Sequence, residues 1–213
     1  MQAVPLHWQF IKKLIELTGI TISFIQYPLA PESNHSDAVG HIVKLTRMLV
    51  DKSSGESLYI GGDSAGAGLA LAAIQELIAS DGEQPYRRAA LISPWLNVTS
   101  LHHVDAALMK KDIVLDRDRL LWAAGAYADG TEFEHHHISP MLGNFDNFPE
   151  VGLWMGGCDL FDIDVQPFLQ KLEDSQVGYT AYLAKHMIHD YPIMPIPEGI
   201  TAVKQIASFL GES

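Results

Sequence analysis

With 213 residues, 47% of them hydrophobic and 19% charged, the chain has the composition of a globular protein and is long enough for one α/β domain, which excludes disorder. Acidic residues outnumber basic ones 26 to 14, for a formal charge of −12, so nucleic acid and anionic membranes are not expected partners. One cysteine, Cys158, allows no internal disulfide, and neither a secretory leader nor a bilayer-length apolar run is evident, so the expectation is a cytoplasmic protein.

In chain order, HWQFIKKLIELTG places Phe10, Ile11, Leu14, Ile15 and Leu17 at helical spacing, with Gly19 as the stop. ITISFIQYP is β-rich and almost continuously apolar, which predicts a buried strand. SDAVGHIVKLTRMLVDK predicts a helix with Ser36 or Asp37 near its N-cap. SLYIGG is a strand, AGLALAAIQELIAS a mostly buried helix, and AALISPW a strand ended by Pro94. Residues 97–148 are less regular, apart from the helical period of DRDRLLWAAGAYADG. EVGLWMGG, DVQPFLQKLEDSQ, GYTAYLA and GITAVKQIASFLG then read as strand, helix, strand and helix, with Pro167 near the start of the first helix. This alternation predicts one α/β domain over 1–213, with a mostly parallel sheet covered by helices on both faces.

Gly62-Asp63-Ser64-Ala65-Gly66 fits G-x-S-x-G between a strand and a helix. Such a turn lifts a serine hydroxyl clear of the sheet and strains the serine backbone. Small residues are expected two before and two after it, where backbone passes too close for a Cβ. The following helix offers N–H groups to developing negative charge, beginning with that of Ala65. Phosphate binding fits less well, because no lysine follows the glycines.

A serine nucleophile needs a base and a group that orients the base. Asp159 follows the strand VGLWMGGC and is the favoured acid, with Asp162 and Asp164 as rivals read as exposed positions. In KHMIHDYP, after the next strand, His189 and His186 compete as base.

Several segments together resemble the hormone-sensitive-lipase group of α/β hydrolases. YPLAPE (27–32) is similar to that family's Y-R-L-A-P-E, with Pro28 at the arginine position. GDSAGAGLA (62–70) is similar to G-D-S-A-G-G-N-L-A, and LISPWLNVT (91–99) to a strand ending in S-P-W. Residues 137–164 resemble the stretch that carries the family's acid, and HMIHDYP resembles its histidine loop. The resemblance implies the α/β-hydrolase fold and a carboxylesterase of small ester substrates. Ser64 would be nucleophile, Asp159 acid and His189 base, with an acyl-enzyme intermediate and no cofactor or metal. It also implies a homodimer, joined through edge strands or the last helix.

The sequence departs from the family at its front. It contains no H-G-G-G, the loop whose N–H groups supply most of the family's oxyanion hole. The resemblance therefore implies a chain lacking the N-terminal strands. One of these would lie between TISFIQYP and SLYIGG. The alternative function is a catalytically impaired hydrolase-like remnant that binds without turnover.

Residues 97–148 are expected to shape the substrate pocket, with Trp95 and Leu96 as candidate walls; core packing is an equal reading for Trp95. The three histidines 135–137 are consecutive and do not easily face one ion, so no metal site is assigned. His102 and His103 read as surface loop, Cys158 as a buried structural thiol, and Asp63 as a support for the local backbone.

Overall fold

The computed structural model describes residues 3–53 and 55–211. Four parallel strands lie side by side in chain order: β1 (Leu58–Asp63), β2 (Tyr86–Ile92), β3 (Glu150–Gly156) and β4 (Tyr179–Ala184). Parallel neighbours need crossover connections, and the helices supply them. The helices are α1 (Pro5–Thr18), α2 (His35–Lys52), α3 (Ala65–Asp81), α4 (Ala106–Lys111), α5 (Arg117–Ala128), α6 (Val165–Asp174) and α7 (Pro197–Gly211). Among the described residues no helix is long and apolar enough to cross a membrane.

Side-chain alternation along the central strands divides the core in two. Ala90 and Ile92 of β2 and Trp154 of β3 face Leu14 of α1 and Ile206, Phe209 and Leu210 of α7. Ala89, Leu91, Val151, Leu153 and Met155 face the other way, against α3 and α6. Both faces are apolar because both are covered, and this makes LISPW and VGLWM read as continuous hydrophobic runs. Trp154, Phe145, Phe161 and Phe168 are fully buried. Each would leave a large cavity if truncated, at a cost of about 3–5 kcal/mol.

The helix stops follow local chemistry. Gly19 ends α1 in the left-handed region (φ 70°), and its N–H donates to the Ile15 carbonyl. The α2 N-cap is Asn34, not Ser36 or Asp37: its side chain accepts the N–H groups of both. Pro167 is the third residue of α6, within the first turn, where no intrahelical N–H is required.

Two expectations are corrected. Residues 20–28 form no strand and are half-buried to exposed. Their side chains still divide between the two faces: Ile20 and Ile22 pack with the α1–α7 core, and Ile25 and Tyr27 with the α2–α3 core. The apolar pattern is strand-like, but the backbone has no ladder partner, since β1 pairs only with β2 among the described residues. The second correction concerns the glycines of the turn. A Cβ on Gly62 would collide with the backbone of Gly66 and Ala67, whereas one on Gly66 meets nothing within 4 Å. Only the first small residue is therefore demanded by close approach.

Gly62→Ala is accordingly expected to destabilise the fold by about 1–3 kcal/mol. Gly66→Ala, inside α3, is expected to be neutral or stabilising by up to about 1 kcal/mol. Thermal unfolding of the two variants distinguishes them.

Candidate active site

Parallel strands deliver their C-terminal ends to one edge of the sheet, so the residues after β1, β3 and β4 gather there. Ser64, immediately after β1, has φ 52° and ψ −121°, a sparsely populated conformation for a residue with a side chain. Neighbouring backbone holds it there. The Ser64 N–H donates to the Ile92 carbonyl at 2.9 Å, and the Ser64 carbonyl accepts from Trp95 N–H at 3.0 Å. Gly68, one turn into α3, lies so close to the Trp95 carbonyl that a Cβ would strike it. The exit of β2 thus locks the turn from the side.

Asp159 follows β3 and is fully buried. Its Oδ1 accepts the Phe161 N–H at 3.0 Å, and its Oδ2 lies 2.8 Å from His189 Nδ1. His189 follows β4, is 4% exposed, and places Nε2 3.0 Å from Ser64 Oγ. Three residues far apart in sequence thus form one continuous hydrogen-bonded run. The edge of the Phe161 ring meets the His189 imidazole at 5.4 Å between centroids.

The rival residues lie elsewhere. His186 is exposed. Asp162 is half-buried, and burial followed by the charge of Asp159 raises its pKa. Asp164 is not the exposed position expected: it is 1% exposed. Burial lifts its carboxyl to about 6, against the opposing hydrogen bonds of Ser100 and Asn97.

Ala65 is the first residue of α3, so its N–H has no acceptor within the helix. The Trp95 ring stacks on Phe161 at 5.4 Å, half-buried beside the loop that carries Asp159. Leu96 is fully buried in the core, which corrects its reading as a pocket wall. Within 97–148, an open cleft of about 490 Å³ is lined by Thr99, His102, Gly130 and Phe133 among others; Ser64, Asp159 and His189 are not part of its lining. His102 and His103 are exposed, on a 3₁₀ turn. Cys158 is half-buried rather than buried, with Sγ 3.9 Å from the Lys185 carbonyl.

Four supporting residues escaped the sequence reading. Asp190 places Oδ2 3.2 Å from His189 Nε2. Ser93 is fully buried with φ 41°, and its Oγ accepts the Asp190 N–H at 3.0 Å, tying the loop that carries His189 to the end of β2. Asp112 accepts the Leu160 N–H at 2.8 Å, next to Asp159. His7 of α1 pairs with the Asp63 side chain at 3.0 Å, which links α1 to the turn. Asp190 and Ser93 lie inside segments already singled out, whereas Asp112 lies in an irregular stretch that carries no motif.

The histidine run is not isolated either. His35, at the start of α2, has its Nδ1 3.3 Å from His137 Nδ1. Burial, followed by the neighbouring imidazole of His136, holds the pKa of His137 down at about 4. Burial likewise lowers those of His35 and His136.

Known proteins share this architecture. The family model described as the alpha/beta hydrolase fold matches residues 1–193. An acetyl-hydrolase from Streptomyces hygroscopicus is 29% identical over 210 residues, spanning 96% of this chain and 69% of that protein. The solved structure of a Staphylococcus aureus protein superposes with a TM-score of 0.93 at 30% identity, covering 100% of this chain and 72% of the other. The structure of an esterase from the bacterial hormone-sensitive lipase family shares the fold, with a TM-score of 0.92 at 23% identity over 99% of this chain and 72% of that one. The match over most of the chain, on a parallel sheet whose strand ends gather these side chains, means that it belongs to the alpha/beta hydrolase fold family.

Proposed function

We propose that the chain is a serine carboxylic ester hydrolase of small esters, working through an acyl-enzyme. The observation that carries this reading is the run Ser64 Oγ–His189 Nε2, His189 Nδ1–Asp159 Oδ2, at 3.0 and 2.8 Å. The acetyl-hydrolase relative supports the choice of ester substrates.

In this mechanism His189 Nε2 takes the Ser64 proton as Oγ bonds to the ester carbonyl carbon. Asp159 holds the Nδ1–H tautomer and stabilises the imidazolium. The Ala65 N–H faces the carbonyl oxygen as it becomes negative, supported by the dipole of α3. Collapse breaks the carbon–oxygen bond to the alcohol, which leaves with the proton from Nε2. Water, deprotonated by the same nitrogen, then releases the acid and restores Ser64. None of these steps calls on a metal or organic cofactor. Trp95, beside the acid loop, borders the space for the substrate, and residues 97–148 supply the remainder of the pocket.

A second reading, a binding protein without turnover, draws on one observation: the sequence has no H-G-G-G, and one missing oxyanion donor costs about 10²–10³ in kcat. Hydrolysis of p-nitrophenyl butyrate separates the two. Turnover is expected, falling at least about 10³-fold in Ser64→Ala and in His189→Ala. Turnover unchanged in Ser64→Ala would defeat the esterase reading, and no turnover by the unaltered chain would favour the binding protein.

Asp190 bears on the pH dependence. A neutral His189 uses its Nε2 lone pair to accept the serine proton, and a carboxylate beside that lone pair instead favours the imidazolium. Burial lowers the His189 pKa, but hydrogen bonds to Asp159 and Asp190 outweigh it and bring it up to about 10. The base is the unprotonated form, so activity rises with pH, with its midpoint above the ordinary histidine value. Asp190→Asn removes one charge that favours the cation, so the ascending limb of kcat/KM is expected to move to lower pH. An unmoved limb would show that Asp190 does not act on the base.

A further inference from the structure

We propose a divalent-cation site, for zinc or an ion of similar ligand preference, formed by His35, His135 and His137. It is separate from the Ser64 site and does not depend on the esterase reading. One ring nitrogen from each of these three residues lies within 4.8 Å of the others. The rings come from two places in the chain: the first turn of α2 and the segment after α5. His136, between two of the ligands, belongs to a different grouping with Glu76 and His137. Three consecutive histidines do not need to face one ion when alternate members do so and a distant histidine completes the set.

The hydrogen bonds orient the lone pairs. His137 Nε2 lies 3.2 Å from Glu76 Oε2. An ionised carboxylate only accepts, so Nε2 carries the hydrogen and Nδ1 of the neutral ring is bare. His35 Nε2 lies 3.1 Å from Thr131 Oγ1, a hydroxyl that can accept its hydrogen and leave Nδ1 bare in turn. The two Nδ1 atoms are 3.3 Å apart. Two nitrogens bound tetrahedrally to zinc at about 2.0–2.1 Å are separated by roughly 3.3–3.4 Å, so the spacing already suits a shared ion. A carboxylate or hydroxyl on the far nitrogen is the usual outer partner of a metal-bound imidazole.

His135 supplies the third nitrogen. Its Nδ1 now accepts the His137 N–H at 3.2 Å, at the long end of the hydrogen-bond range, and coordination replaces that bond. A water completes four-coordination. An all-nitrogen set selects a borderline ion over calcium or magnesium. The ion would fasten the segment 131–137 to α2 directly and to α3 through Glu76.

The test uses the full chain, freed of metal with a chelator, titrated with zinc chloride by calorimetry and with cobalt chloride by visible absorption. One equivalent is expected to bind at micromolar or lower Kd, with tetrahedral cobalt bands and a raised Tm. His137→Ala and His35→Ala are each expected to weaken binding at least 100-fold, and the exposed pair His102→Ala/His103→Ala not to change it. Glu76→Gln keeps the shape of the outer partner and is expected to weaken binding about 10–100-fold. If His137→Ala does not fold, His135→Ala gives the same readout at a half-exposed position. Absence of binding below millimolar zinc would overturn the site, as would equal binding in His35→Ala with loss in His136→Ala. The first outcome would leave a metal-free network, with His35 Nδ1–H donating to His137.

Discussion

The backbone of Ser64 is the constraint on which the rest of the site depends. Its φ of 52° with ψ of −121° is unfavourable for any residue with a Cβ, and such a conformation persists only where surrounding structure over-determines it. Here Ile92 and Trp95 hold both sides of the peptide, Gly62 lets α3 close over the end of β1, and Gly68 lets α3 approach the exit of β2. The hydroxyl is therefore positioned by main chain and packing before any catalytic partner is considered. His189 and Asp159 lie buried on loops after β4 and β3 and are aligned by the hydrogen bond between them, while Ser93 ties down the next residue, Asp190.

That division explains what could be read from sequence. The elbow is legible because a local backbone demand leaves a local signature. The alternating runs of β2 and β3, buried on two faces, identify a covered parallel sheet. Of the two candidate histidines it is His189 that meets Ser64, and Asp159 meets His189 in turn. Asp159 is singled out by its place directly after a strand.

What escaped was non-local. The apolar pattern of residues 20–28 predicts a strand, yet a strand also requires a neighbour to hydrogen-bond, and pattern carries no information about that. Asp164 looks exposed by residue type, but it is buried, with hydrogen bonds from Ser100 and Asn97 and its Oδ2 left without a partner. The run 135–137 carries no sign of His35, which lies about a hundred residues earlier and joins it only through the approach of α2 to the segment after α5. Composition and spacing are blind to such meetings unless a motif marks both partners.

Trp95 links parts of the site that are otherwise separate. Its N–H holds the carbonyl of Ser64, and its ring lies against Phe161, which in turn touches the His189 imidazole. The main-chain bond survives any replacement except proline, whereas the stack does not. Replacing this one side chain therefore loosens the aromatic brace behind His189. The turn at Ser64 and the orientation of His189 are thus coupled through Trp95, the first by its main chain and the second by its ring.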